Sequence, residues 1–224
     1  METDVFERKK ARYPSSEVIH PILYNVILGA ILVWGFGMNY FLVKSISTKS
    51  ITDLNFFFFT LGYFASCFLG IYLFTQYTNP WISFLGFNLV VLPFGLLLNI
   101  IVSLFDSTIV AEAFKITAIV TVIMMILGSI FHEFFAKIHW ALGFSLMAVI
   151  VVEIVEVAVF KIQHDLVDWI FALIFCGYIG YDWGRANRIP KTLDNAVDSA
   201  AALYLDVVNL FLRTLRILGR RRKK

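Results

Sequence analysis

The chain has 224 residues, of which 59% are hydrophobic, 17% aromatic and 16% charged, and its formal net charge is +3. A soluble domain of this length cannot bury so much apolar surface, so the composition predicts an integral membrane protein whose partner is the lipid bilayer. The net charge is too small to indicate nucleic-acid binding. Cys67 and Cys176 lie in apolar runs, where cysteine behaves as a small core hydrophobe, so no disulfide or metal framework is expected.

Seven apolar stretches are long enough to cross a bilayer, since a spanning helix needs about 20 residues. Most connections between them are short, which predicts antiparallel neighbours in one bundle. The expected organisation is a polar N-terminal tail at 1–20 without a cleavable signal peptide, one seven-helix transmembrane domain at 21–218 and a basic tail at 219–224. The seven stretches are 21–43, 55–74, 81–104, 108–130, 138–160, 166–183 and 193–218.

Basic residues indicate the orientation in part. The N-terminal tail and the loop between the sixth and seventh stretches are both basic, so both are predicted to be cytoplasmic, in a multi-pass protein of the cell membrane. The terminal sequence GRRRKK would then lie outside, against the positive-inside rule, unless one stretch is re-entrant. We favour seven spans with a cytoplasmic N-terminus. The residues concerned are Arg8, Lys9, Lys10 and Arg12 in the tail, and Arg185, Arg188 and Lys191 in the loop.

Two features of the second and third spans concern helix packing. Gly62, Ser66 and Gly70 recur at every fourth position of the second span, which permits close helix contact. Pro93 lies in the middle of the third span, where it is expected to kink the helix and free a carbonyl group.

Enzyme signatures are weak in this sequence. His132 and His139 are seven residues apart, whereas two zinc ligands on one helix face need a spacing of four, so this segment is interpreted as an interfacial loop between the fourth and fifth spans. No GxSxG motif is present. We therefore expect no enzyme and no cofactor.

Two aspartates stand out inside apolar runs. Asp206 lies near the middle of the seventh stretch, and Asp182 lies at the end of the sixth, in YIGYDW. An acid at a helix centre costs roughly 2.5 to 3.5 kcal/mol on insertion scales and is a functional candidate by default. Asp206, Asn209 and Arg213 also share one helix stripe, so an internal pair that merely holds helices together is the structural alternative.

The two aspartates can act together if they meet across the short basic turn between the spans. The turn signals centre near residue 191, whereas contact requires a centre near 194, so the offset is about one helical turn. Two carboxylates in a poorly solvated site cannot both ionise cheaply and would share a proton. Their ionised form offers oxygen ligands for a hard cation such as Ca²⁺.

Further polar residues fall near the pair or toward the opposite membrane side. An acidic rim near the outer ends of spans three to six would concentrate cations, although a solvated rim with helix-end pairing explains it equally well. Rim candidates are Asp106, Glu112, Glu153, Glu156, Asp165 and Asp168. Pore-lining candidates are Asn88, Asn99 and Asn209.

The ending of the chain resembles the signature of the transmembrane Bax inhibitor motif family, also called the Bax inhibitor-one family. The resemblance rests on GYD at 180–182 and ALYLDVVNLF at 202–211, with further similarity in EAF at 112–114, ITA at 116–118 and the Pro93 region. It implies six helices surrounding a central seventh and a pH-sensitive calcium leak, gated by a dyad at Asp182 and Asp206. Bacterial members also carry a glutamate and an arginine latch in the second span, whereas 55–74 here has no charged residue. Arg213 and Arg185 are the available cation partners for the dyad.

The leading hypothesis is therefore a passive, pH-gated Ca²⁺ leak in which Asp182 and Asp206 bind H⁺ and, when ionised, Ca²⁺. Two alternatives stay open: a proton-coupled transporter of another solute, and a non-conducting membrane regulator that binds a protein whose identity the sequence does not indicate.

Overall fold

The computed structural model describes residues 18–161 and 164–222, and these residues form helices and connecting turns without any strand. Six of the helices are long and apolar enough to cross a membrane, which confirms the predicted all-α membrane class. The helices are α1 (Pro21–Ser45), the short α2 (Thr48–Thr52), α3 (Phe56–Gln76), α4 (Pro80–Val102), α5 (Ser107–Ile130), α6 (His132–Val155) with a π-helical turn (Glu156–Phe160), α7 (Asp165–Ala186) and α8 (Leu193–Arg221).

Polar side chains set where three of the apolar helices begin. His20, Asn55 and Asn79 each precede a helix, and their side chains accept hydrogen bonds from backbone N–H groups of the first turn. Proline follows His20 and Asn79, where its missing N–H costs nothing and its fixed φ suits a first helical turn. These local signals explain why the predicted and observed starts of these helices agree closely.

The seventh predicted span corresponds to α8, which differs in character from the six apolar helices. It carries three aspartates and several arginines among its apolar residues, and most of its side chains up to Ile217 are buried or half-buried. Charged groups in a bilayer are tolerated where they face protein partners, which is the environment that α8 has. Residues 1–17, which include the basic N-terminal tail, lie outside the described part of the chain.

The chain divides into two compact units, and α8 contributes to both of them. The first unit comprises residues 1–104 and 189–204, and the second comprises residues 105–188 and 205–224. In the first unit, the start of α8 packs against α1 and α4, with Tyr204 in edge contact with Phe87. In the second unit, the rest of α8 contacts α6 and α7 through its arginines.

One sequence-based boundary was wrong. The segment from His132 to His139, interpreted as a loop, is the start of α6, and Phe131 alone separates α5 from α6. Its polar residues lowered the local apolarity, but they lie on a helix that starts there and continues into the apolar stretch. At the other end, α8 continues to Arg221 and so includes the first residues of the predicted basic tail.

The carbonyl group that Pro93 frees has a specific partner. Proline at 93 cannot donate to the carbonyl of Leu89, and the Ser66 hydroxyl of α3 donates to this oxygen at 2.6 Å. One turn further along α3, Gly70 lies against Gly86 of α4, where an added Cβ would come within 2.5 Å of the Gly86 carbonyl oxygen. The small-residue stripe therefore serves close helix contact at Ser66 and Gly70, whereas a Cβ added at Gly62 would meet no other described helix within 4 Å.

We expect Ser66→Ala to destabilise the first unit by about 1 to 3 kcal/mol, because it leaves the Leu89 carbonyl without a donor in an apolar environment. Ser103→Ala is the matched control, since the Ser103 hydroxyl is exposed and donates only to a carbonyl of its own helix. Titration of the micelle-embedded protein with sodium dodecyl sulfate gives the unfolding free energy of each variant. Equal stability of the two variants would contradict the assignment.

Candidate functional site

The second unit brings the two predicted aspartates together. Asp182 lies in the last turn but one of α7, and Asp206 lies in the interior of α8 with 8% of its surface exposed. The two carboxyl groups are within hydrogen-bonding reach of each other. The structure thus answers the question of contact that the one-turn offset left open, while the role of the pair in gating stays a prediction.

The two members of the carboxyl pair have different surroundings. Asp182 is accompanied by Arg185, one turn further along α7, with 3.6 Å between the nearest guanidinium nitrogen and carboxylate oxygen. Next to Asp182, the Tyr181 ring stacks on His139 of α6 at a centroid distance of 4.9 Å. The Oδ2 atom of Asp206 has no hydrogen-bond partner among the described residues. Arg185 therefore occupies the position of a cation partner beside Asp182.

Arg213, the other predicted cation partner, is directed elsewhere. Its guanidinium group donates to Glu153 of α6 at 2.7 Å and to Asp168 of α7 at 2.9 Å, and it lies 3.6 Å above the centre of the Phe171 ring. The pair of Asp206 with Arg213 that the shared helix stripe suggested is therefore replaced by an interhelical ion pair.

Arg213 belongs to a larger group that we call the acid–arginine cluster. Asp168 is its most buried member, with 2% of its surface exposed, and it lies within 4 Å of three arginines. Each of three acids from α6 and α7 thus has at least one arginine of α8 beside it. The cluster consists of Glu153, Asp165, Asp168, Arg213, Arg216 and Arg220.

The acidic rim predicted from the sequence is divided by the structure. Glu153 is paired with two arginines, and Glu156 is 2.6 Å from the Nδ1 atom of His164. Asp106 and Glu112, by contrast, are exposed at the start of α5. Glu153 has interhelical partners and is a packing element, whereas Asp106, Glu112 and the partly exposed Asp165 retain the solvated character that the rim interpretation requires.

The three predicted pore-lining asparagines make specific protein contacts. Asn88 accepts a hydrogen bond from the Trp34 indole at 2.9 Å, and Asn209 donates to the backbone of its own helix. Asn99 donates to three carbonyl oxygens at the end of α1 and accepts from Thr48 at 2.7 Å. Asn99 thus satisfies the last carbonyl groups of α1, a role that helix ends require.

A second group of buried polar residues, in the first unit, was not predicted from the sequence. Asp194 and Asp198 are each 1% exposed on the first turns of α8, and the Ser83 hydroxyl of α4 lies 2.5 Å from an oxygen of Asp194. Lys191, in the preceding loop, lies over the Tyr24 ring, and burial lowers its pKa. The spacing of the two aspartates by four residues is the signal that places both on one helix face.

No group of three or more His, Cys, Asp or Glu side chains within the described residues is arranged to hold a metal ion. A cation at the carboxyl pair would therefore take its remaining ligands from water or from uncharged oxygens, as Ca²⁺ commonly does.

Six apolar helices of spanning length define the chain as a multi-pass helical membrane protein. The family described as inhibitor of apoptosis-promoting Bax1 matches residues 20–223. The chain therefore belongs to this family, the Bax inhibitor-1 family, which confirms the resemblance seen in the sequence.

Individual relatives match parts of the chain. The Bax inhibitor 1 of Schizosaccharomyces pombe is 32% identical over 130 residues, which are 56% of this chain and 47% of that protein. An uncharacterized membrane protein of Streptococcus pyogenes serotype M3 is 29% identical over 133 residues, covering 56% of this chain and 58% of that protein. A BI1-like protein of Arabidopsis thaliana is 54% identical over 48 residues, or 21% of this chain and 18% of that protein. The matched part thus spans less than two thirds of each of these relatives.

Proposed function

We propose that the protein is a pH-sensitive leak for Ca²⁺, with a cytoplasmic N-terminus in the cell membrane, gated by the Asp182–Asp206 pair. The observation that carries this proposal is the contact between two carboxyl groups contributed by two different helices, one of them buried within α8. Buried acids are costly in a membrane protein, and packing alone would be served as well by apolar residues. A role in binding and releasing a proton explains why acids are present at this position despite their energetic cost.

The geometry supports a specific direction of the pH response. A single proton shared by the two carboxyl groups, with Arg185 beside Asp182, holds α7 and α8 at close range. Loss of this proton leaves two negative charges close together, whose repulsion is about 4 kcal/mol at 4 Å in a partly solvated site. The carboxylates then separate or recruit a cation, so the flux of Ca²⁺ rises as the pH rises through the titration of the pair.

Ca²⁺ fits the pair as cargo because of its ligand chemistry. Ca²⁺ is bound by six to eight oxygen ligands in flexible geometry, and two carboxylates with surrounding water provide such ligands. The Oδ2 atom of Asp206 is buried and has no hydrogen-bond partner among the described residues, so this oxygen is a candidate ligand for the ion. We therefore assign the first contact with the ion to Asp206.

Ca²⁺ flux into dye-loaded vesicles, measured against pH, tests the proposal. Wild-type protein is expected to show a flux that rises with pH. Asp206→Asn keeps a hydrogen-bond donor facing Asp182 and cannot ionise, so its flux is expected to stay low at every pH. The double variant Asp182→Asn/Asp206→Asn is expected to lose the pH dependence as well.

Asp53→Asn is the matched control, because Asp53 is exposed in the turn after α2 and its replacement should leave the flux unchanged. An Asp206→Asn variant with the rate and pH dependence of the wild type would refute gating by the pair. Proton-driven uptake of another solute without any Ca²⁺ flux would instead favour a transporter.

A further inference from the structure

The end of the second unit that carries the acid–arginine cluster also carries basic residues that the cluster does not use. Three arginines of α8 face three acids of α6 and α7 inside the cluster. Arg221 and Arg222 follow directly, and both are exposed. The sequence continues with Lys223 and Lys224, which lie outside the described residues. The end of the chain after Arg220 therefore carries positive charge that the acids of the cluster do not neutralise.

The outer arginines lie at the level where apolar helices meet the membrane surface. Arg221 lies over the ring of Trp169, with 5.4 Å from the guanidinium carbon to the ring centre, one turn inside the start of α7. The Arg222 guanidinium group donates a hydrogen bond to the hydroxyl group of Thr108, at the start of α5. Both α5 and α7 are apolar spans that begin at this end, so their first turns mark the interface between headgroups and hydrocarbon.

The surface around Trp169 has the composition of a lipid contact. Trp169 is 44% exposed, and Leu166 and Leu173 on the same helix are 68% and 70% exposed. Apolar side chains of this kind contact acyl chains, while a tryptophan ring with a cation over its face lies at headgroup depth. Asp106, two residues before Thr108, matches at most one of the outer positive charges.

We propose that Arg221, Arg222 and Trp169 form a binding site for the phosphate headgroup of an anionic phospholipid. The two guanidinium groups supply positive charge at the membrane surface, and this charge attracts the phosphate of an anionic headgroup. Trp169 holds the headgroup region, and the exposed leucines of α7 receive the acyl chain. The inner arginines take no part, because their charges are already matched within the cluster.

Quenching of Trp169 by brominated lipids tests the site. The full chain is reconstituted in vesicles containing brominated phosphatidylglycerol or brominated phosphatidylcholine, and the Trp169 signal is the difference between the wild type and Trp169→Phe. Brominated phosphatidylglycerol is expected to quench this signal at lower mole fractions than brominated phosphatidylcholine. In Arg221→Gln/Arg222→Gln the preference is expected to disappear, with about a fivefold loss for each arginine replaced.

Two further variants separate lipid binding from a structural role. Arg221→Lys/Arg222→Lys keeps the charge and is expected to keep most of the preference, and Lys44→Gln/Lys49→Gln removes two exposed charges of the first unit and should keep all of it. Equal quenching by both lipids in the wild type would overturn the proposal. The proposal would also be overturned if the preference for phosphatidylglycerol survived in Arg221→Gln/Arg222→Gln or was lost in Arg221→Lys/Arg222→Lys. The same holds if excess inorganic phosphate abolished the preference at constant ionic strength.

Discussion

Asp168→Asn is expected to lower the unfolding free energy by about 3 to 5 kcal/mol, the usual cost of removing one partner from a buried ion pair. The substitution hardly changes the shape of the side chain, so the loss would be electrostatic. Asp168 is 2% exposed and lies 2.9 Å from both Arg213 and Arg220. Without its negative charge, three arginines share two acids in a poorly solvated part of the protein.

Asp165→Asn provides a matched comparison on the same helix. Its carboxylate lies 3.2 Å from Arg220, but 45% of the side chain is exposed. An exposed ion pair contributes at most about 1 kcal/mol, because water and salt screen it. Unfolding by sodium dodecyl sulfate in mild-detergent micelles gives both values, and similar losses for the two variants would show that burial of Asp168 does not set the strength of the cluster.

Gly128→Ala is expected to disrupt the contact between α5 and α7, at a cost of about 1 to 3 kcal/mol or more. A Cβ at position 128 would overlap with the carbonyl oxygen of Gly180. Backbone atoms cannot rotate away as a side chain can, so α5 must move as a whole. Because Gly180 precedes Asp182 by only two residues, we also expect the pH dependence of the proposed Ca²⁺ flux to change.

Gly143→Ala is the control within the same unit. A Cβ at position 143 would meet only the Tyr178 hydroxyl, at 3.6 Å, which is an ordinary contact. Alanine is favoured over glycine inside a helix by roughly 0.5 to 1 kcal/mol, so this variant should be unchanged or slightly more stable. The same unfolding titration measures both variants, and a Gly128→Ala protein as stable as Gly143→Ala would refute the close approach of the two helices.

The acid–arginine cluster shows why the ion-pair partners of Arg213 could not be predicted from the sequence. The sequence placed Asp206, Asn209 and Arg213 on one stripe of a helix, which made Arg213 a natural partner for Asp206. In the structure, Glu153 of α6 and Asp168 of α7 accept hydrogen bonds from Arg213. Which helices are neighbours depends on packing between segments distant in sequence, and a helix stripe contains no information about it.

Local and compositional features of this protein were determined by the sequence alone. The membrane class followed from apolar stretches of spanning length, and the starts of the helices followed from capping residues such as Asn55 and Asn79. The family followed from the ALYLDVVNLF motif at 202–211. Each of these features depends on residues close together in the chain. Three contacts required the fold to be known: Asp182 comes within hydrogen-bonding reach of Asp206, Ser66 satisfies the carbonyl freed by Pro93, and Asp168 is enclosed by arginines. These contacts join residues from different helices, so they follow from the fit between helix surfaces, which no local pattern records.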